Sequence, residues 1–172
     1  MSSEIVIRPC KPEDEEDMVA AALAAWAPLF ESLLMQRGEE LYLILQPQDW
    51  QEMKADQIRS ACRDACRLGT GAAVAEKDGR VVGFVTFLTH NGWGIGEIGN
   101  NAVHPDFQGL GIGPKLYRYV FRELRRAGVQ YVQVLTGCDD FHARARKAYE
   151  SVGFAMPYAD VTYYRRLTEA DE

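Results

Sequence analysis

The sequence predicts an α+β fold: one domain in which helices flank a mixed, mostly antiparallel central sheet. Three observations lead there. Strand-like and helix-like patterns alternate irregularly along the 172 residues, an Asp-Gly turn joins two strands into an antiparallel hairpin, and neither a repeat nor a linker divides the chain. Residues 4–167 are therefore expected to form a single domain, followed by a short acidic tail at 168–172.

The elements follow in order. Ile5-Val6-Ile7-Arg8-Pro9 reads as a first strand stopped by proline, and Lys11-Pro12-Glu13-Asp14 opens a helix carrying Met18, Ala22, Leu23 and Trp26. A second helical region holds Phe30, Leu33 and Leu34, a poorly patterned stretch covers 38–48, and Asp49 caps a helix reaching Arg67. After Leu68-Gly69-Thr70-Gly71, strands 72–76 and 80–89 flank the turn Lys77-Asp78-Gly79. A turn at His90–Gly94 leads into a third strand, 95–103, which ends at His104-Pro105 because proline cannot donate to a ladder. Residues 109–127 place Leu116, Val120 and Leu124 on one helical stripe closed by Gly128. Val129–Leu135 is a continuous apolar strand, Asp139 or Asp140 caps a helix to Val152, Gly153 ends it, and Val161–Leu167 is a last strand.

Composition excludes several classes. At 47% hydrophobic and 26% charged residues, the chain has the balance of a folded globular protein rather than a disordered one. No stretch approaches the roughly 18 consecutive apolar residues of a membrane helix, since Pro28 and the charges of 76–80 break the best candidates. Met1-Ser2-Ser3-Glu4 has neither the basic start nor the apolar run of a signal peptide, so the cytoplasm is the expected compartment. The net charge of −6 is unevenly placed: residues 1–100 hold 9 Lys/Arg against 16 Asp/Glu, residues 101–172 hold 10 against 9. A nucleic-acid binder draws its affinity from a basic surface, so this balance argues against one and leaves room for a local anion site in the second half. Cys10, Cys62, Cys66 and Cys138 lack the spacing of a disulfide scaffold and are expected as reduced thiols. Cys62 and Cys66 would supply half of a metal site that no other Cys or His pair completes, so no metal is expected, and Cys138 is read as a small buried hydrophobe.

The most informative stretch is Val103-His104-Pro105-Asp106-Phe107-Gln108-Gly109-Leu110-Gly111-Ile112-Gly113-Pro114-Lys115, which leaves a strand and enters a helix. Closely spaced glycines let backbone N–H groups approach a bulky anion, and the helix start adds free donors and a favourable dipole. Pro114 fits the first helical turn, where its missing N–H matters least. A triphosphate loop is excluded because Pro114 separates Gly113 from Lys115 and Leu116 stands where its hydroxyl belongs. A dinucleotide fingerprint is excluded because the sixth position from Gly109 is Pro114 and the preceding strands form a hairpin, not a parallel βαβ unit.

What remains is Gln108-x-x-Gly111-x-Gly113, and with it the chain resembles the GNAT N-acetyltransferases. A second signature, Asn-x-x-Ala-x-x-Leu-Tyr leading to Gly-Phe, is matched by Ala145, Tyr149, Gly153 and Phe154, with His142 in the Asn place and Ala148 in the Leu place. The resemblance covers about 4–167, strongly over 80–155 and weakly over 20–70. It implies the GNAT acyltransferase fold with a sheet splayed at the acetyl-CoA site, where Gly99-Asn100-Asn101 is a candidate bulge. It implies direct transfer of an acetyl group from acetyl-CoA to an amine, the amides of Gly109, Leu110, Gly111, Ile112 and Gly113 holding the pyrophosphate beside Gln108. The backbone of Asn101, Ala102 and Val103 would pair with the pantetheine arm, and an amide near Val103 would meet the developing oxyanion. His142 would contact coenzyme A, with Lys115, Arg144 or Arg146 near its phosphates. By the same resemblance Glu97 is the candidate general base and Tyr149 the candidate acid for the leaving thiolate. The competing roles are a solvated strand carboxylate for Glu97 and plain packing against Val152 for Tyr149. His104 is read as a surface loop histidine.

Three functions fit. The first is acetylation of a small-molecule primary amine, a cationic one being favoured by the acidic N-terminal half; the second is acetylation of a protein or peptide; the third is a non-catalytic acyl-CoA sensor. Trp26, Phe30 and Trp50 are candidates to line an acceptor site. A homodimer is in keeping with the family.

Overall fold

The computed structural model describes residues 4–46, 49–65 and 67–168. Cys66 and residues 169–172 lie outside the described residues, with the expectations placed on them. Among those described, the order is β1 (Val6–Pro9), α1 (Glu15–Arg37), α2 (Glu39–Leu45), α3 (Trp50–Asp64), β2 (Thr70–Lys77), β3 (Arg80–Leu88), β4 (Gly96–Val103), α4 (Ile112–Arg126), β5 (Val132–Val134) and α5 (Ala143–Glu150). The sheet runs β1-β2-β3-β4-β5, antiparallel throughout except for the parallel pair β4–β5.

The hairpin forms as its sequence dictates. Lys77 pairs with Arg80, and the two residues between them, Asp78 and Gly79, both take positive φ, 53° and 75°, as a two-residue turn matched to strand twist requires. Alternation along β2 and β3 then feeds two cores. Val74 and Phe84 join Met18, Ala22 and Ile58 of α1 and α3 on one face, while Ala73 and Val85 join Leu116, Val120 and Leu124 of α4 on the other. With both faces covered, β3 is buried from Val81 to Phe87.

Five expectations are corrected. The two helical regions before residue 38 are one 23-residue helix, α1, which continues through Pro28; losing one N–H bond is outweighed by packing on both sides of it. From Pro12 to Arg37 this helix is long and apolar enough to cross a membrane by length and composition, yet Met18, Val19, Ala21 and Ala22 are built into the core. The strand expected over 129–135 shortens to Val132–Val134, and the helix expected from Asp139 starts at Ala143, after a turn in which Asp139 accepts from His142 N–H at 3.1 Å. Val161–Leu167 forms no strand and is exposed: its β-branched and aromatic residues have no partner strand to pack on.

One charge cluster ties α1 to the sheet. Arg8 donates to both oxygens of Asp14 at 2.7 and 2.8 Å and to Glu76 at 2.6 Å, and Lys11 N–H donates to Asp14 at 2.7 Å. Burial pushes the Asp14 carboxyl up, but the Arg8 and Lys11 bonds outweigh it and hold it below the usual carboxylate range. A depressed folded pKa contributes stability that is fully present above the unfolded value of about 3.9 and is lost as pH falls through the folded one. Asp14→Asn is therefore expected to destabilise the protein near pH 7 by on the order of 2 kcal/mol, with the gap to wild type closing below about pH 4. Thermal melts at neutral and acid pH read this; an equal gap at both would remove the assignment.

Candidate active site

The site is made by a defect in the sheet. Val85 pairs with Asn101 but Phe87 pairs with Ile98, so Gly99 and Asn100 together face Thr86 alone. This is the bulge expected at 99–101. A Cβ on Gly99 would lie 2.8 Å from Thr86 Oγ1, and that hydroxyl donates to Asn100 O at 3.2 Å, which holds the extra residue in place. On its other side β4 pairs with β5 only at Gly96, Glu97 and Ile98. Beyond that point the two strands part, and the backbone of Gly99–Val103 faces an opening instead of a neighbour.

The glycine-rich loop closes one end of this opening. Gly109 and Gly111 have φ of 81° and 72°, and a Cβ on either would meet nothing within 4 Å. The backbone is thus bent into the left-handed region with its outer side clear. Gly111 precedes α4, and among the described residues no protein acceptor meets the N–H of Leu110, Gly111, Ile112 or Gly113. Four donors without a protein partner at a helix N-terminus are an arrangement that favours an anion. Gln108 lies behind the loop, donating to Val103 O at 2.9 Å and accepting from Arg144 of α5.

Two sides of the opening differ. On the α4–α5 side Tyr149 is 5% exposed, and its hydroxyl meets the Asn101 side chain, which donates to it at 3.1 Å. Tyr117 donates to Asn101 Oδ1 at 2.9 Å, and the two tyrosine rings pack 5.0 Å apart. Burial raises the pKa of Tyr149 above its ordinary value despite the bonds to Asn101 and Tyr117, so the phenol keeps its proton. On the α3 side lies a cavity of about 390 Å³ whose polar lining includes Gln57, Ser60, Asp64, Thr86, Glu97 and Asn100. Glu97 faces it from the last paired position of β4 but one, accepting from Gln133 at 2.8 Å. The lining has two carboxylates, Asp64 and Glu97, and no Lys or Arg, with the exposed Arg67 beside it paired to Asp64 at 3.1 Å.

Residues 29–154 match the model of the acetyltransferase (GNAT) family. The chain belongs to that family. Among curated proteins it is 37% identical over 93 residues to a mycothiol acetyltransferase of Thermomonospora curvata, a match covering 54% of this chain and 30% of that one. The match thus spans about a third of such relatives' length. Among solved structures it resembles the PaiA N-acetyltransferase of Thermoplasma acidophilum in complex with coenzyme A, with a TM-score of 0.72 at 18% identity over 91% of this chain and 93% of that one. It also resembles aminoglycoside N-acetyltransferase AAC(6')-Iy in complex with CoA, with a TM-score of 0.67 at 15% identity over 97% and 98%.

As a GNAT chain it brings Asn101, Ala102, Val103, the 108–113 loop and Tyr149 to one opening, with Glu97 on its far side. Other residues named from the sequence have local duties. His142 is bonded through Nδ1 to Asp139 at 2.6 Å, and Arg146 donates to Gly137 O and Asp139 O at 2.6 and 2.7 Å, so both fasten the turn before α5. Lys115 and Arg144 stay exposed. His104 accepts from Asp106 N–H at 3.3 Å, a loop role. Cys138 is exposed, against the buried place expected. Trp26, Phe30 and Trp50 do not line the cavity: Phe30 stacks on Trp50 at 4.3 Å and Trp26 meets Phe84 edge-on, packing the α1 side of the sheet. The sequence reading missed the side chain of Asn101, Tyr117 and the α3 wall. For Tyr117 the signal existed, since a tyrosine on a buried helical stripe needs a partner for its hydroxyl.

Proposed function

We propose that the protein transfers an acetyl group from acetyl-CoA to a primary amine of a small cationic molecule. The observation that carries this is the opening in the sheet, with a row of amides lacking a protein partner at one end and a carboxylate-lined cavity on the other side. Gly109 and Gly111 fit a pyrophosphate, because their open outer side is the space a Cβ would take. The amides of Leu110 to Gly113 would hold it, and the backbone of Asn101–Val103, which has no strand partner on the β5 side, would orient the extended pantetheine arm. Bound acetyl-CoA supplies the thioester carbonyl. Glu97 would accept the proton that the amine gives up. The Val103 region would offer an N–H to developing negative charge, and Tyr149 would deliver a proton to the departing sulfur.

The carboxylate lining favours an aminated, cationic acceptor, in line with the mycothiol and aminoglycoside named for the relatives. The test is thiol release from acetyl-CoA with pooled small amines and pooled peptides as separate acceptors, the acceptor-free rate being subtracted. Release with the amines supports the proposal. Release with peptides alone makes the protein a peptide acetyltransferase, and silence with acetyl-CoA bound makes it a sensor.

Within this reading Tyr149→Phe is expected to lower kcat about 10- to 100-fold while leaving acetyl-CoA affinity and Tm close to wild type. The Asn101 amide keeps its bond to Gly99 O at 3.1 Å and Tyr117 keeps Asn101 Oδ1, so little structure is lost. Full turnover in the variant, with an unchanged pH profile, would return Tyr149 to a packing role.

A further inference from the structure

Two thiols far apart in sequence meet in the core beneath α3. Cys10, just beyond β1, and Cys62, in the last turn of α3, are separated by 52 positions, yet their Sγ atoms lie 3.1 Å apart. That is closer than ordinary van der Waals contact between carbons, roughly 3.5–4.0 Å, and about 1 Å outside a bonded S–S distance. Each residue is held. Cys10 N–H donates to Ala72 O at 3.0 Å, and Cys62 is 5% exposed on a buried helix face. The thiol hydrogens have poor alternatives: both sulfurs reach the same Lys11 carbonyl at 3.4 Å, and Met18 Sδ is the other neighbour of Cys10, again at 3.4 Å. Losing both hydrogens therefore gives up only weak bonds.

We propose that Cys10 and Cys62 are a covalent modification site, forming a reversible disulfide that staples helix α3 to the end of strand β1 by exchange with a low-molecular-weight disulfide. The helix ends at Asp64, two positions after Cys62, so fraying of its last turn admits the reagent. The Cys62 thiolate attacks one sulfur of the reagent and expels the first thiolate. The Cys10 thiolate then attacks the Cys62 sulfur of that mixed disulfide and expels the second. Two protein thiols lose two electrons in total, the reagent is reduced to two thiols, and these take up the two protons. Burial raises the pKa of both cysteines, which makes exchange slow at neutral pH. The staple fixes the helix whose Gln57, Ser60 and Asp64 form one wall of the cavity. It does not depend on what that cavity binds.

The experiment incubates the reduced full chain with oxidised glutathione, blocks remaining thiols, and maps disulfides by peptide mass spectrometry. It is run on wild type and on a Cys66→Ser, Cys138→Ser variant. The expected result is a Cys10–Cys62 linked peptide in both, reversed by dithiothreitol, and a rise in Tm on the order of 10 °C from closing a long loop. Adding Cys10→Ser should abolish the rise. Glutathione adducts or free thiols at these positions, a link made only in denaturant, or pairing of either with Cys66 or Cys138 in wild type would each overturn the proposal.

Discussion

Replacing Glu97 by glutamine should lower kcat with a small-molecule amine by about 10²- to 10³-fold near neutral pH, with acetyl-CoA affinity unchanged. The size follows from the acceptor. An alkyl ammonium has a pKa near 10.4, so near pH 7.4 only about one molecule in 10³ carries the lone pair that attack requires. A carboxylate at the cavity wall would offset that deficit by taking the proton from the bound ammonium before the bond forms. Glutamine has the same shape, and its side-chain oxygen can still accept from Gln133, so the wall stays in place while the basic function goes. The variant should accordingly regain activity steeply as pH rises towards 10, where the amine deprotonates unaided, whereas wild type should be much flatter. Initial rates across that range separate the two. A loss below about threefold, or parallel profiles, would make Glu97 a cavity-lining carboxylate with no part in proton transfer.

Glu97 also shows what the sequence could and could not carry. Its place on a strand was legible, but its facing was not, because period-two alternation fixes sides only when neither strand is bulged. The bulge at Gly99 and Asn100 puts Ile98 on the α4 side and Ala102 on the α1 side, although the two are four positions apart. The same bulge puts Asn101 beside Tyr149. Motifs with a strong local cause were read well: the hairpin from Asp78-Gly79, the cap from Asp49, whose carboxylate accepts from Gln51 and Glu52, and the amphipathic α4. The misplaced elements have their causes elsewhere in the chain. Pro28 is tolerated because α1 is clamped by the sheet and α3, the last apolar strand fails for want of a partner, and the α3 wall of the cavity has no motif because helix register and packing alone select Gln57, Ser60 and Asp64.

The three glycines of the phosphate-type loop look equivalent in sequence and are not equivalent in structure, which makes Gly111→Val the second large effect. At Gly111 the φ of 72° places any β-branched residue in the left-handed region, and its Cβ would project into open space instead of into the protein. The substitution thus meets no packing clash, and the fold, carried by Leu116, Val120 and Leu124, should survive with a Tm drop of a few degrees from local strain. The cost falls on the ligand. Relaxing the strain swings the Gly111 and Ile112 amides away, and a methyl group enters the space of the anion. Loss of two hydrogen bonds to a charged group, at about 1.5 kcal/mol each, corresponds to a weakening of acetyl-CoA binding by about 100-fold or more. Gly113 is the internal control, since it has no positive φ and a Cβ there would sit 3.6 Å from the Tyr117 hydroxyl, an ordinary contact. Gly113→Ala should change affinity by less than about threefold, because the N–H stays where the helix puts it. Calorimetric titration of both variants with acetyl-CoA decides the matter: equal affinities for Gly111→Val and Gly113→Ala would mean that the loop does not hold the pyrophosphate.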